Sequence, residues 1–324
     1  MEPIPITVIG GFLGAGKTTL LNRLLTQTQG TRYAVIVNDF GDLAIDGDLV
    51  TGHGGDTLTF ANGCLCCTMG DSLLQTLDTL LARAEPPEHF VVEASGVADP
   101  QQIADIGILH PRLLRDLVIV LVDAETIRER AEDPRLADTI ERQLQSAGLV
   151  VLNKCDLVPE AERAQVRDWM ARHLPGTPVV ETDHARLPAE RLIGPGASQP
   201  ARAREAAPEG HAPHAHEPDH GTLFRGVSVA FERPLEPAAF RATLSGLPPS
   251  VLRAKGFVAF AGEPERLQLV QLSGGHLQIT PWPEGAGARG RPATAIELIG
   301  TADMPPAEWL REKLQAAMTA GPEA

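Results

Sequence analysis

The chain has few aromatic residues, few cysteines and no excess of positive charge, and each shortage excludes a class of protein. Aromatic residues make up 4% of the 324 positions, with a single tyrosine. Lys and Arg total 28 against 42 Asp and Glu, a formal net charge of −14. No nucleic-acid partner is expected, because a broad DNA- or RNA-binding face needs clustered cations. A local anion site remains compatible with this charge.

Long apolar runs and a basic amino-terminal stretch are also missing. The longest apolar run, residues 117–122, is far shorter than the roughly 20 residues of a membrane-spanning helix. The first cation is Lys17, whereas a secretion signal begins with a basic segment. We therefore expect a cytoplasmic protein without a membrane partner, and the sequence leaves homodimerisation open.

The few cysteines favour metal binding over a disulfide framework. Three of the four, Cys64, Cys66 and Cys67, fall within four positions, a spacing that indicates a metal-binding or catalytic role in a reducing compartment. A helix predicted directly after them favours thiolates through its dipole, and thiolates suit Zn²⁺ or Co²⁺. Three small buried cysteines are the alternative, and Cys155 is expected to be an ordinary loop residue.

Hydrophobic patterns over residues 1–195 predict an α/β fold, a mostly parallel sheet with helices on both faces. Short apolar runs alternate with helical patterns, which is typical of this architecture. Several runs are continuous Val, Ile and Leu, as in strands buried on both faces. Strands are predicted at 6–10, 33–38, 57–60, 90–93, 117–123, 149–153 and 179–181, and helices at 17–28, 71–84, 134–147 and 159–173.

The composition changes after residue 195. Residues 196–221 are rich in Gly, Pro, Ala and His without apolar periodicity, which is typical of a flexible linker. Alternating apolar residues return over 222–318 and predict a smaller α+β domain that ends in a helix. The linker histidines form either a metal reservoir or part of a solvated connection: His211, His214, His216 and His220.

Residues 11–18, GFLGAGKT, match the phosphate-binding pattern G-x-x-x-x-G-K-[ST] between an apolar run and a helical one. The glycines let backbone N–H groups surround a phosphate, and the helix adds its positive end. Lys17 is expected to reach the β- and γ-phosphates, and the Thr18 hydroxyl to bind Mg²⁺. The nucleotide-binding residues predicted here are Gly11, Gly14, Ala15, Gly16, Lys17, Thr18 and Thr19.

A carboxylate at the end of a neighbouring strand is needed to hold the Mg²⁺ shell. Glu93 and Asp123 both end predicted buried strands, and these residues alone do not decide between them. Gly96 follows Glu93 closely and is expected to let the backbone approach the γ-phosphate.

Asn153, Lys154, Cys155 and Asp156 follow another apolar run and form an N-K-x-D sequence about 135 residues after the phosphate loop. In such a place the Asp carboxylate accepts hydrogen bonds from guanine N1–H and its exocyclic amine, which adenine does not offer. Asn153 and the Lys154 stem shape the pocket. The sequence therefore predicts GTP rather than ATP.

Five segments in this order resemble the CobW-type GTPases, a family of cytosolic metal chaperones. They are GGFLGAGKTTLLN, VNDFGDLAIDGDLV, NGCLCC, VVEASGVADP and NKCD. The likeness continues into the second domain, where VLRAKGFVAF, a Trp-Pro pair and IELIG resemble the CobW carboxyl-terminal domain. The resemblance implies that the three clustered cysteines bind zinc or cobalt and that Glu93 is the Mg²⁺-site acid.

Asp39 and Asp42 depart from the family pattern, which usually has Glu at the first position and often at the second. Asp39 keeps the charge but shortens the side chain by about 1.5 Å, which would alter metal affinity if this acid ligates the thiolate-bound metal. A solvated turn is the alternative.

The sequence thus predicts a GTP-hydrolysing metallochaperone with GTP, Mg²⁺ and Zn²⁺ (or Co²⁺) as ligands and a client metalloprotein as partner. Slow turnover is expected, because no residue resembles a water-positioning Gln or an arginine finger. A metal buffer or sensor with little turnover, a cobalt chaperone of the cobalamin or nitrile hydratase type, and a P-loop kinase are the alternatives.

Overall fold

Seven strands form the sheet of the amino-terminal half in the computed structural model, which describes residues 2–27, 31–40, 56–62, 69–193, 223–282 and 292–318. The strands are β1 (Ile4–Gly11), β2 (Tyr33–Phe40), β3 (Asp56–Asn62), β4 (His89–Glu93), β5 (Leu113–Asp123), β6 (Leu149–Asn153) and β7 (Val179–Glu181). Their order is β3-β2-β4-β1-β5-β6-β7, and every neighbouring pair is parallel. The predicted α/β fold is confirmed.

Helices connect these strands across both faces of the sheet. They are α1 (Lys17–Gln27), α2 (Met69–Leu81), α3 (Pro100–Leu109), α4 (Ile127–Glu132), α5 (Ala137–Gln145) and α6 (Glu160–His173), with 3₁₀ turns at Cys155–Leu157 and Ala189–Arg191. The helix predicted over 134–147 is wrong at its start. Asp133 has an extended backbone that separates α4 from α5, and its carboxylate binds the Arg135 side chain.

Helix α3 was not predicted, because Gly107 weakens its helical pattern. The same glycine lets α3 approach the sheet closely: a Cβ there would lie 2.5 Å from Ile6 Cγ2 and 3.1 Å from the Arg115 backbone. The start of α3 is nevertheless encoded locally, since the Asp99 carboxylate accepts a hydrogen bond from Gln101 N at 2.9 Å.

Two apolar layers cover the parallel sheet, one on each face, as predicted for strands without alternation. One layer contains Val8, Phe90 and Val120, and the other contains Ile9, Val91 and Ile119. Because successive residues of a strand point to opposite faces, neighbours such as Val8 and Ile9 contribute to different layers. The parallel sheet is therefore covered on both faces and lies at the centre of the amino-terminal half.

The described residues of the carboxyl-terminal half form an antiparallel five-stranded sheet that packs with two helices, which agrees with the predicted α+β class. Its elements are β8 (Phe224–Phe231), α7 (Pro237–Ser245), β9 (Val251–Phe260), β10 (Glu263–Ser273), β11 (His276–Pro281), β12 (Thr294–Thr301) and α8 (Ala307–Gln315). The strand order is β11-β10-β9-β12-β8. The predicted boundaries at 195 and 221, and the linker between them, lie outside the described residues.

One face of this second sheet packs on its own helices and the other on the amino-terminal half. Val258 and Leu298 share an apolar cluster with Phe240 of α7 and Leu310 of α8. Phe224 and Ile299 instead belong to the cluster of the parallel sheet. Within the chain described here, no helix has the combination of length and apolar character that crossing a bilayer requires.

A buried polar triad lies at the amino ends of three central strands. The Thr7 hydroxyl is 2.8 Å from His89 Nε2 and donates to Asp116 Oδ2 at 3.2 Å, and all three residues are buried. Burial lowers the pKa of His89 to about 4, although the Asp116 carboxylate at 3.9 Å opposes this shift. The histidine is therefore neutral at pH 7.

We predict that protonation of His89 destabilises the fold in acid. The unfolded chain binds this proton near pH 6.5 and the folded chain only near pH 4. Stability is therefore lost as the pH falls through that window, by about 2 kcal/mol between pH 7 and pH 5. Urea unfolding at both pH values should show this loss in the wild type and not in His89→Gln. Equal pH dependence in the two proteins would contradict the prediction.

Candidate functional site

Four strands bring predicted site residues to one edge of the parallel sheet. The phosphate loop follows β1, while Glu93, Asp123 and Asn153 end β4, β5 and β6. Ile9 is in register with Glu93, and Asp123 with Asn153. Strands β2, β3 and β4 lie on one side of β1, and β5, β6 and β7 lie on the other, so the direction of strand addition reverses at β1. Ligands of open α/β sheets bind at this reversal, beyond the carboxyl ends of the strands.

The phosphate loop is held closed by its own lysine and supported from behind by an arginine. Lys17 Nζ donates to Gly11 O at 2.9 Å and to Phe12 O at 3.3 Å. Arg130 of α4 donates from Nη1 to Leu13 O at 3.1 Å, and its guanidinium lies 5.1 Å from the Phe12 ring centre. Burial lowers the pKa of this arginine from its ordinary value, against the opposing effect of Asp123.

The two candidate Mg²⁺-site acids have different surroundings. The Thr18 hydroxyl donates to Glu93 Oε1 at 3.0 Å, so these two predicted groups meet at the mouth of the loop. Asp123 instead lies 2.6 Å from Lys154 Nζ and accepts a hydrogen bond from Glu125 N. A hydroxyl and a carboxylate in contact form an oxygen donor set suited to Mg²⁺. The geometry therefore favours Glu93, the choice that the family resemblance implies.

The segment after Glu93 lies directly against the phosphate loop. A Cβ on Gly96 would be 2.4 Å from Leu13 Cδ2 and 3.0 Å from Leu13 N, so the close packing of this segment on the phosphate loop requires glycine. Gln143 of α5 donates from Nε2 to Gly96 O at 3.1 Å and to Ala98 O at 3.0 Å. This buried amide, which was not predicted from the sequence, positions the segment that follows Glu93.

Asn153 links the phosphate loop to the loop after β7. Its Nδ2 donates to Ala15 O at 2.8 Å, and its Oδ1 accepts from Ala185 N at 2.8 Å. Lys154 has a left-handed backbone, with φ of 63°, which turns the chain from β6 towards Asp156. Cys155 is buried, its Sγ bonds Leu152 O at 3.2 Å, and burial raises the pKa of its thiol. It lies in the 3₁₀ turn that follows β6.

One cavity of about 250 Å³ joins these groups. Both halves of the chain line it, the amino-terminal half through its phosphate loop and N-K-C-D loop, and the other half through β9, β10 and β11. The lining residues of the first half are Gly14, Gly16, Lys17, Thr18, Thr19, Glu93, Asn153, Lys154, Asp156, Leu157 and His184. The basic side chains of the second half that line it are Arg253, Lys255 and His276.

His184 and Leu157 are the cavity residues of the first half that sequence reasoning missed. His184 Nε2 lies 3.8 Å from Asp156 Oδ2, and Arg23 of α1 donates to its backbone oxygen at 2.8 Å. Leu157 is unusual in being an exposed large apolar side chain, with 48% of its surface accessible. Leu157 thus provides an apolar surface and His184 a polar ring beside the Asp156 carboxylate, which is predicted to recognise a base.

The predicted thiolate site falls outside the part of the chain that the structure describes. Cys64, Cys66, Cys67, Asp42 and the four linker histidines all lie there, and Asp39 is described only as part of β2. Helix α2 begins at Met69, two residues after the last cysteine of the cluster. Among the described residues, no three His, Cys, Asp or Glu side chains form a group able to hold a metal.

Comparison with protein families matches nearly the whole chain. The model for "CobW/HypB/UreG, nucleotide-binding domain" matches residues 5–181, more than half of the sequence. The chain belongs to the CobW/HypB/UreG family. In this CobW-family protein, residues 224–318 match a second model, the "Cobalamin synthesis protein cobW C-terminal domain", so the resemblance to CobW-type proteins is confirmed in both halves.

Curated relatives of this CobW-family protein share about a third of its residues. The zinc chaperone CobW of Sinorhizobium sp is 33% identical over 98% of this chain and 97% of its own length. The zinc chaperone CobW of Pseudomonas aeruginosa is 34% identical over 84% and 80%. The zinc-regulated GTPase metalloprotein activator 1 of Dictyostelium discoideum is 27% identical over 86% of this chain and 67% of its own length.

Proposed function

We propose that this CobW-family protein is a GTP-hydrolysing metallochaperone that carries Zn²⁺ to a client protein. The observation that carries the proposal is the cavity shared by Lys17, the Thr18–Glu93 contact and Asp156. It combines a phosphate loop, an Mg²⁺ donor set and a carboxylate for guanine within one space. The names of the relatives, zinc chaperones and a zinc-regulated GTPase, support zinc as cargo and a protein as its recipient.

Each nucleotide-site residue has a distinct role in this proposal. The backbone of Gly11, Gly14, Ala15, Gly16 and Thr19 surrounds the phosphates, Lys17 exchanges its two carbonyl partners for phosphate oxygens, and Thr18 with Glu93 holds Mg²⁺. Bound Mg²⁺ would supply charge neutralisation for the phosphates. Gly96 N–H faces the γ-phosphate, while Asn153, Lys154 and Asp156 hold guanine. Turnover is slow because positioning, rather than a dedicated water-activating side chain, provides the catalysis.

Cys64, Cys66 and Cys67 hold the cargo metal in this proposal, with Asp39 or Asp42 as an oxygen ligand. Strand β2 pairs directly with β4, and Val37 is in register with Glu93. A change at the γ-phosphate therefore has a short path to the segment after β2. If nucleotide alters metal affinity, metal must alter nucleotide affinity by the same factor.

The remaining parts of the proposal concern the linker and the other metal. Residues 1–195 and 222–318 are two domains, a division supported by family matches that end at 181 and begin at 224. His211, His214, His216 and His220 between them supply an auxiliary metal site. Co²⁺ accepts the same donors as Zn²⁺ and is the second cargo to test.

Metal titration separates the two sites. We predict that Cys66→Ala loses tight Zn²⁺ binding, since one thiolate is removed, while its affinity for GTP stays within about twofold of wild type. In the wild type, Zn²⁺ affinity should differ with and without a non-hydrolysable GTP analogue. Both are measured by competition with a zinc chelator dye and by calorimetry.

The matched control is Cys155→Ala, which removes the buried thiol and should leave Zn²⁺ stoichiometry unchanged. Loss of GTP binding in Cys66→Ala would instead make the clustered cysteines structural. Equal Zn²⁺ affinity with and without the analogue would remove the coupling, and no phosphate release with GTP, Mg²⁺ and Zn²⁺ present would leave a buffer or sensor.

A further inference from the structure

We propose that the carboxyl-terminal sheet completes the nucleotide site, with Arg253 and Lys255 of β9 binding the phosphates of the nucleotide. This inference rests on the proposed GTP function and assigns a ligand contact to the second domain. Four cationic and two acidic side chains line the cavity, although the whole chain has a net charge of −14. Two of the four cations, Arg253 and Lys255, come from β9.

The distribution of lysine supports the same conclusion. Of the 28 basic residues only four are lysines, at positions 17, 154, 255 and 313, and the first three line this cavity. A lysine ammonium is a compact point charge that suits phosphate, as in the phosphate loop itself. Lys255 is 4% exposed, so an ionisable side chain occupies a position where burial disfavours its charged form.

Strand β9 presents these cations on the face that meets the amino-terminal half. Ala254 and Val258 on one face belong to the core of the second domain. Arg253 and Lys255 alternate with them and share the opposite face with Ile299, which is in register with Arg253 and packs in the core of the first domain.

The tip of the β10–β11 hairpin fixes this face against the phosphate loop. Ser273 Oγ donates to Leu13 O at 3.2 Å, and a Cβ on Gly14, whose φ is +78°, would lie 1.9 Å from that hydroxyl oxygen. His276 Nε2 lies 2.6 Å from Glu125 Oε2. Arg253 is in register with Ser273, so its Cα is about 5 Å from a residue that contacts the loop.

A structural role is the alternative for Lys255, because Glu297 of β12 is directly opposite it and is itself buried. The two roles predict different results. A lysine that only balances Glu297 affects stability and not the preference among nucleotides. A lysine that binds phosphate affects nucleotides in proportion to the phosphates they carry.

The test compares Arg253→Ala and Lys255→Gln with Arg266→Ala in the full-length protein. Arg266 is on the same sheet, is paired with Glu263 and is largely exposed outside the cavity. Dissociation constants for GTP, GDP and GMP with Mg²⁺ are measured by calorimetry, and melting temperatures are recorded without nucleotide. We expect each β9 variant to weaken GTP binding by about tenfold to a hundredfold. The loss should be smaller for GDP and smallest for GMP, and Arg253→Lys should recover part of it.

Two results would overturn the inference. Either both folded β9 variants bind GTP as tightly as Arg266→Ala, or all three nucleotides lose affinity equally together with a lower melting temperature. If Lys255→Gln does not fold, the comparison of Arg253→Ala with Arg253→Lys tests the inference. A wild-type chain that fails to bind GTP would overturn the proposed function as well, whereas unchanged variants of a GTP-binding wild type overturn this inference alone.

Discussion

Replacing Lys17 by Ala is expected to lower GTP turnover by about 10²–10³-fold, because it removes a preorganised cation from the phosphates. The structure shows why Lys154, the other lysine of the amino-terminal half in this cavity, does not substitute for it. Lys17 is 7% exposed and its Nζ is fixed across the loop by the oxygens of Gly11 and Phe12. Another lysine of the cavity, Lys154, is 2.6 Å from the Asp123 carboxylate, so moving it to the phosphates would break a largely buried ion pair.

The matched control for this prediction is Lys313→Ala. Lys313 is the lysine outside the cavity, 5.3 Å from the Trp309 ring centre on α8. Phosphate release with GTP and Mg²⁺ should be unchanged in this control, and Zn²⁺ binding should be unchanged in both variants. Turnover within about threefold of wild type in Lys17→Ala would show that the cavity is not the hydrolytic site.

The parts of the site that sequence predicted best are contiguous motifs. The phosphate loop and N-K-C-D each need only local chain geometry, a turn after a buried strand, so eight or four residues identify them. The choice between Glu93 and Asp123 as the acid of the Mg²⁺ site could not be made from such a motif, since both residues end buried strands. Thr18 contacts Glu93, and Lys154 contacts Asp123. Both contacts depend on the order of the strands in the sheet, which the motifs do not reveal.

Groups that act across long sequence distances were missed for a related reason. Arg130 supports Leu13 from 117 residues away, and Gln143 holds Gly96 from 47 residues away. Neither stands out among ordinary helix residues, because a buried Arg or Gln is recognisable only when its partner is known.

The first half of strand β9 lacks the apolar pattern that its second half has. A continuous apolar run is present only at residues 257–260, whereas β9 begins at Val251. Its first half carries Arg253 and Lys255, and two charges in five residues obscure the apolar pattern of a strand. The pattern is interrupted there because Arg253 and Lys255 line the polar cavity.

Replacing Asp156 by Asn is expected to change the base preference of the protein from guanine to xanthine. The two oxygens of the Asp156 carboxylate match the N1–H and the amine of guanine. An Asn side chain keeps one acceptor and gains an N–H₂ donor, which opposes the guanine amine but pairs with the 2-oxo group of xanthine. GTP affinity should therefore fall by about 10²–10³-fold, since a charged acceptor is lost and a donor is left unpaired.

The surroundings of Asp156 make this exchange specific. The carboxylate lies on the 3₁₀ turn Cys155–Leu157 beside His184, and Asn153 fixes both neighbouring loops through its contacts with Ala15 and Ala185. An isosteric Asn leaves those contacts intact. Dissociation constants for GTP and XTP should thus move in opposite directions in Asp156→Asn and stay at wild-type values in Asp168→Asn, an exposed aspartate on α6. Retained GTP preference in Asp156→Asn would place base recognition elsewhere in the cavity.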